Sequence, residues 1–181
     1  MESIYAGIDQ DIEEADDDER RESYISWCRQ QFSCPLIPGL FSRSQHLPEL
    51  DWRQIKYTDH AGHDFPDHQG VYMFTVNLIN ANLPTTSYVM YVGKAGDIGS
   101  QNTIRRRFRD YVNESGYRNR IRIRRLIKYF SAHLIYHYAV VPEGNSTSDI
   151  ESMLCDIFTP PCCQSDFSPE ARTLLRGARI L

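Results

Sequence analysis

Two short runs near the centre of the chain decide how it folds: Gly70 to Asn77 reads GVYMFTVN, and Tyr88 to Gly93 reads YVMYVG. Both are rich in β-branched and aromatic residues, which suit a pleated surface, and the stretch between them, Leu78 to Ser87, carries asparagine, proline and threonine. They are expected to form a hairpin with a long loop. A third run, His133 to Val141 (HLIYHYAVV), is apolar or aromatic on both alternating faces, as a central strand covered on both sides should be. Between the second and third runs the period changes to helical. Gln101 to Val112 places Ile104, Phe108 and Val112 at four-residue steps with arginines on the other faces. From about Arg118 to Phe130, residues Ile123, Leu126, Ile127 and Phe130 follow the i, i+3, i+4, i+7 spacing of a buried stripe. A later helix is expected from about Asp149 to Phe158, stopped by Thr159-Pro160-Pro161, and Ser168-Pro169 opens a short final helix. The fold class is α/β of the α+β kind, with a small, mainly antiparallel, three-stranded central sheet flanked by helices.

Upstream of this centre the signals are weaker. Asp16 to Phe32 reads as an acidic-to-amphipathic helix with Tyr24, Trp27, Cys28 and Gln31 along one face, and Trp52 to Tyr57 as a short strand. Asp59 to Gln69 is a polar loop in which His60, His63 and His68 stand among Asp59, Asp64 and Asp67. That spacing suits a metal, but a solvated loop of turn formers is the better reading because neither helix nor strand holds the ligands in place. The chain therefore divides into an acidic segment (1–24), an accessory helix and loops (25–69), a central domain (70–165) and a C-terminal helix (166–181). With 181 residues, 41% hydrophobic and 24% charged, it is long enough to bury a core, and its composition argues against a disordered, fibrous or disulfide-scaffold protein.

The net charge of −4 argues against a nucleic-acid partner only if the charge is evenly spread, and it is not. Residues 1–24 hold ten acids and two bases, whereas residues 94–128 hold eleven bases and three acids. Such a basic stretch is either the footprint of a polyanion binder or a solvated helix face, and charge alone gives the two equal weight. If it meets a polyanion, the Asp9 to Glu22 segment is placed to compete for the same surface. No apolar run approaches the roughly 20 residues of a membrane span, and no basic start precedes an apolar stretch, so a cytoplasmic protein without a membrane partner is expected. Five cysteines (Cys28, Cys34, Cys155, Cys162, Cys163) without a CxxC spacing point to reduced thiols.

Four elements stand in order on strand, strand, helix and helix. They are Gly70-Val71-Tyr72; Tyr91-Val92-Gly93-Lys94; Ile104-Arg105-Arg106-Arg107-Phe108 with Tyr111; and Glu151 on a helix ending in prolines. Together they resemble the GIY-YIG nuclease superfamily from about Gly70 to Gln164. YVGKA is especially close to the excinuclease subunit of bacterial nucleotide-excision repair, and GIY-YIG restriction and homing endonucleases share the same domain. The resemblance implies a metal-dependent DNA endonuclease that hydrolyses phosphodiester bonds, a reaction that needs a deprotonated water and offset charge on the phosphoryl oxygens. Under it Tyr72 is the general base. A free phenol has a pKa of about 10, so nearby positive charge is needed, and Lys94 and Arg107 are the candidates. Tyr91 orients the water or the phosphate, Arg107 contacts a non-bridging oxygen, and Tyr111 fills a position taken by histidine or tyrosine in the family. Glu151 binds one Mg²⁺, with Mn²⁺ as an alternative. Arg105, Arg106, Arg109, Arg118, Arg122 and Arg125 are the expected contacts to DNA, and RNA stays open as a partner.

Each role has a plainer rival. Tyr72 and Tyr91 can simply pack the hairpin, Arg105 or Arg106 can be the working arginine in another helix register, and Ser148-x-x-Glu151 also reads as a capping box. The sequence also departs from the family's pattern. The Tyr72–Tyr91 spacing is longer than usual, and Cys163, with Gln164 beside it, stands where the family has an asparagine that braces the site; a thiol hydrogen-bonds poorly and Gln164 is a possible substitute. A catalytically weak or inactive nucleic-acid-binding module of the same fold is accordingly the alternative function. A thiol- or metal-binding regulatory protein using the His60–His68 loop is a third. No motif names the target sequence.

Overall fold

In the computed structural model, residues 35–78, 82–97 and 100–177 are described, and all of them fall within one unit, Cys34–Leu181. The acidic segment and the helix expected over Asp16 to Phe32 lie outside the described residues. Strand β1 (Arg53–Lys56), β2 (Gly70–Leu78), β3 (Thr86–Ala95) and β4 (Leu134–Val140) form one sheet in the order β1-β4-β2-β3, with every neighbouring pair antiparallel. The expected sheet of three strands is thus a sheet of four. The short strand expected over Trp52 to Tyr57 forms at Arg53–Lys56 and supplies the additional edge, pairing Arg53 with Tyr138 and Lys56 with Ile135. It is mostly exposed and lacks an apolar face, so it joins through backbone hydrogen bonds and not through a hydrophobic pattern.

The hairpin of β2 and β3 sets Tyr72 opposite Gly93 and Phe74 opposite Tyr91, with the register shifting between Phe74 and Thr75. That shift has the form of a bulge: one extra residue on β3, which re-aims the side chains beyond it. On the other side of β2, Tyr72 pairs with Tyr138 and Phe74 with Tyr136. The aromatic side chains of these strands form the centre of the core, where Tyr72, Phe74 and Tyr136 are wholly buried.

Among the described residues, six α-helical segments flank the sheet: α1 (Pro38–Phe41), α2 (Ile104–Val112), α3 (Glu114–Tyr117), α4 (Ile121–Phe130), α5 (Thr147–Phe158) and α6 (Pro169–Gly177). Helix α2 starts at Thr103, whose hydroxyl accepts from the Arg106 amide. Its buried stripe is Ile104, Phe108 and Tyr111, while Val112, expected to point inward, is 39% exposed. Seven residues return a helix almost to the same face, whereas eight overshoot by about 80°, so the tyrosine and not the valine meets the sheet. The helix expected from about Arg118 to Phe130 begins at Ile121, with Arg120 at its N-cap, and a separate single turn, α3, precedes it. Helix α5 starts at Ser146, whose hydroxyl accepts from the Asp149 amide at 3.2 Å, so the proposed Ser148–Glu151 capping box does not form. Arg43 ties the N-terminal part to the far end of the fold by pairing with Asp156, which is 1% exposed, and with Glu170. No described helix is long and apolar enough to cross a membrane.

Candidate active site

Tyr72 stands on β2, Tyr91 on β3 and Tyr111 on α2, and their hydroxyls converge. Tyr72 and Tyr111 share a hydrogen bond of 2.6 Å, and Arg107 Nε donates to the Tyr72 hydroxyl at 3.1 Å. The arrangement follows from local structure: Arg107 and Tyr111 are one turn apart on α2, so both reach the strand face that Phe108 and Ile104 hold in place. Arg107 also donates to Asp110 at 3.3 Å, which fixes the orientation of its guanidinium.

A second arginine completes the cluster. Arg120 donates to the Tyr111 hydroxyl at 3.0 Å and to the Tyr91 hydroxyl at 2.6 Å, and its guanidinium carbon lies 5.1 Å and 5.3 Å from the centroids of those two rings. Both hydrogen bonds carry charge on the donor, and the cation faces two rings, so the contacts reinforce one another. Among the sequence signals Arg120 was one base within a run and was not singled out. The glycine at Gly116, inside an otherwise helical stretch, was the available clue. A Cβ there would stand 2.3 Å from the Asp110 carbonyl oxygen, and that close approach lets α3 turn the chain back and bring Arg120 over the tyrosines.

Gly93 decides where Tyr72 lies. A Cβ at Gly93 would sit 2.4 Å from the Tyr72 hydroxyl oxygen and 2.5 Å from its Cζ, so the phenol occupies the space that any side chain would take. Burial pushes the Tyr72 hydroxyl well above the ordinary tyrosine range, Tyr111 and Tyr91 push it further, and Arg107 pulls it back without prevailing. In this state Tyr72 is a neutral phenol. Lys94 was the other cation expected beside it. Its ammonium is instead engaged by Ser148 and by Asp97, the latter at 3.3 Å, so the charge at the Tyr72 oxygen comes from Arg107.

Glu151, on α5, lies on the same side as Arg107 and Lys94. Burial raises its pKa from 4.5 to about 7, the negative charge of Asp166 adds to this, and Lys94 and Arg107 oppose it. It is freed from the capping role because Ser146 and Asp149 perform that task. A single carboxylate fits the protein's share of a Mg²⁺ site, in which phosphate oxygens and waters supply the other ligands; the negative charge of Asp166 nearby favours a cation there, while Lys94 and Arg107 oppose one. Among the described residues no group of three or more His, Cys, Asp and Glu side chains could hold a metal ion by itself. His60 bonds to the Tyr57 carbonyl at 2.7 Å and His63 to the Tyr138 hydroxyl at 2.8 Å, so the histidine loop is used in packing.

Cys163 braces the β3 backbone. Its sulfur accepts from the Val92 amide and donates to the Val92 carbonyl, both at 3.4 Å, reaching the β3 backbone one residue from Tyr91. Gln164 does not take up the bracing role considered for it, because its side-chain oxygen accepts from Arg122 at 3.2 Å and 3.3 Å. Arg122 also donates to the Pro161 carbonyl at 2.8 Å, and Arg105 donates to the Phe65 carbonyl at 2.9 Å and to Asp64 at 2.6 Å. Arg106, Arg109 and Arg118 are exposed, while Arg125 is half-buried.

Two measurements probe this cluster. Tyr136 is wholly buried, its ring centroid is 5.4 Å from that of Tyr72, and its hydroxyl has no hydrogen-bond partner among the described residues. Tyr136→Phe is therefore expected to leave stability unchanged or raise it by about 1 kcal/mol, whereas Tyr72→Phe, which removes two hydrogen bonds, lowers it by about 2 kcal/mol. Urea denaturation of both variants checks this, and a loss in Tyr136→Phe equal to that in Tyr72→Phe would refute it. Glu151 binds its proton more tightly when folded. The stability this contributes is complete below pH 4.5 and is lost as pH rises through about 7. Glu151→Gln should consequently gain stability relative to the native chain between those pH values, on the order of 3 kcal/mol in full. Thermal unfolding in EDTA from pH 4 to 8 reads it, and a difference independent of pH would be the contrary result.

No protein-family model, no curated protein and no solved structure matches this chain.

Proposed function

We propose that this protein is a metal-dependent DNA endonuclease of the GIY-YIG type. The supporting observation is the convergence of Tyr72, Tyr91 and Tyr111 with Arg107 and Arg120 through hydrogen bonds of 2.6 to 3.1 Å. Glu151 lies within electrostatic reach of Arg107. Two guanidinium groups suit the non-bridging oxygens of a phosphodiester, whose charge grows toward the transition state. Glu151 would hold Mg²⁺ or Mn²⁺, which supplies Lewis-acid stabilisation of the phosphoryl and leaving oxygens. To act as general base, Tyr72 first loses its phenol proton to solvent; the phenolate, stabilised by Arg107, then accepts the proton of the attacking water and returns to the neutral phenol. Tyr111 relays hydrogen bonding between Tyr72 and Arg120. Arg106, Arg109 and Arg118, which are exposed, meet the neighbouring phosphates of the strand.

A second reading, a nucleic-acid-binding module without cleavage, is favoured by one observation: Tyr72 is wholly buried and held as a neutral phenol. One assay separates the two. Purified protein with Mg²⁺ or Mn²⁺ is incubated with supercoiled plasmid, branched DNA and structured RNA, and Arg107→Ala and Glu151→Gln are compared with it. The endonuclease nicks DNA and loses at least about 100-fold in rate in each variant. Salt-sensitive DNA binding without any metal-dependent cut supports the module and removes the enzyme.

A further inference from the structure

Beside Tyr91 runs an open groove of about 320 Å³ between the start of α4 and the loop after α5. Its walls include Asn119, Arg120, Ile121 and Ile123 on one side and Gln164 and Asp166 on the other. The volume lies at the lower end of small-molecule sites, which run from about 300 to 1,000 Å³. Arg120 makes no ion pair among the described residues; its hydrogen bonds go to the hydroxyls of Tyr91 and Tyr111. Arg122, also on the wall, is bonded to a carbonyl and to Gln164, again without a carboxylate. Two uncompensated guanidinium charges therefore face one carboxylate, Asp166, and the groove favours an anion.

The remaining walls select more than charge. Ile121, which is 55% exposed, and the buried Ile123 offer an apolar floor. Asn119 presents an amide that both donates and accepts, and Gln164, its oxygen engaged by Arg122, retains an amide NH₂. These are the groups that recognise the edge of a nucleobase.

We infer that this groove binds one deoxynucleoside monophosphate unit. The phosphate lies on Arg120, the base lies against Ile121 and Ile123, and its edge meets Asn119 and Gln164. Asp166 accepts from an exocyclic amino group and turns the phosphate toward the arginines. The occupant is the nucleotide flanking the bond to be cut, a role that rests on the endonuclease reading; the binding itself rests only on the groove.

The test uses the full chain labelled with ¹⁵N in EDTA, titrated with each of the four deoxynucleoside 5′-monophosphates and separately with inorganic phosphate. The nucleotides should produce saturable amide shifts over residues 119–123 and 162–166, with inorganic phosphate binding about tenfold more weakly and Ile121→Glu weakening the nucleotides about tenfold. Shifts that are absent at roughly 20 mM nucleotide, that centre on Arg106 and Arg109, or that are matched by phosphate alone would overturn the groove. Cleavage of plasmid by Ile121→Glu at the rate of the native chain overturns the substrate role and leaves the enzyme standing. Nucleotide binding here in a protein that cuts no DNA overturns the enzyme and leaves the groove.

Discussion

Gly93→Ala is expected to dislodge Tyr72 and with it the whole cluster. The added methyl would stand 2.4 Å from the phenol oxygen and 2.5 Å from Cζ, far inside van der Waals contact. Neither side yields easily. The glycine is on a paired strand directly opposite Tyr72, and the ring is enclosed by Phe74, Tyr111 and Tyr136. Forcing such an overpacked position costs about 1–3 kcal/mol, and moving the hydroxyl also breaks its bonds to Arg107 and Tyr111. Stability should fall by about 3 kcal/mol, and any cleavage should fall at least 100-fold, in keeping with the loss of a site held by positioned groups. A double-mutant cycle with Tyr72→Ala checks the cause: without the ring, alanine at position 93 should cost little, giving a coupling of about 2 kcal/mol. An equal cost in both backgrounds would mean that Gly93 matters for another reason.

Arg120→Ala is expected to be the most damaging of the arginine substitutions. It removes two charged hydrogen bonds and the cation over two rings, and it leaves the hydroxyl of Tyr91, a residue that is 5% exposed, without that donor. The combined loss is about 2–4 kcal/mol. Lysine should not rescue it, because one ammonium cannot reproduce a planar fork that reaches Tyr111 and Tyr91 together. Arg109→Ala, on the exposed face of the same basic stretch, should change stability by less than about 0.5 kcal/mol. Guanidinium chloride denaturation of the three variants decides it; full rescue by lysine would show that charge without geometry suffices.

The legible part of the site comprised residues whose placement depends on their immediate neighbours. Tyr72 and Tyr91 follow from strand alternation, and Arg107 and Tyr111 from one turn of helix, so their meeting could be expected from spacing. Arg120 could not be. It is 29 residues from Tyr91 and depends on where α4 begins, and a helix turns by about 100° per residue, so a start misplaced by three residues points every arginine elsewhere. Lys94 was misjudged for a related reason: its partner Ser148 is 54 residues away, and nothing local announces it.

Cys163 shows the limit from the other direction. Counting from the prolines placed it at the bracing position, but residue type alone suggested that a thiol would serve badly. Only its location beside the Val92 backbone shows that it meets both the amide and the carbonyl. By itself the sequence determined the hairpin, the longer helices and the order of the tyrosines and Arg107, because period and spacing act over a few residues. The tertiary structure decided that the short strand read at Trp52 to Tyr57 joins the sheet as an edge beside β4, pairing through backbone groups without a side-chain pattern. It also decided which of many arginines meets the phenols, because the burial, charge and contacts that select one guanidinium arise only when distant segments pack together.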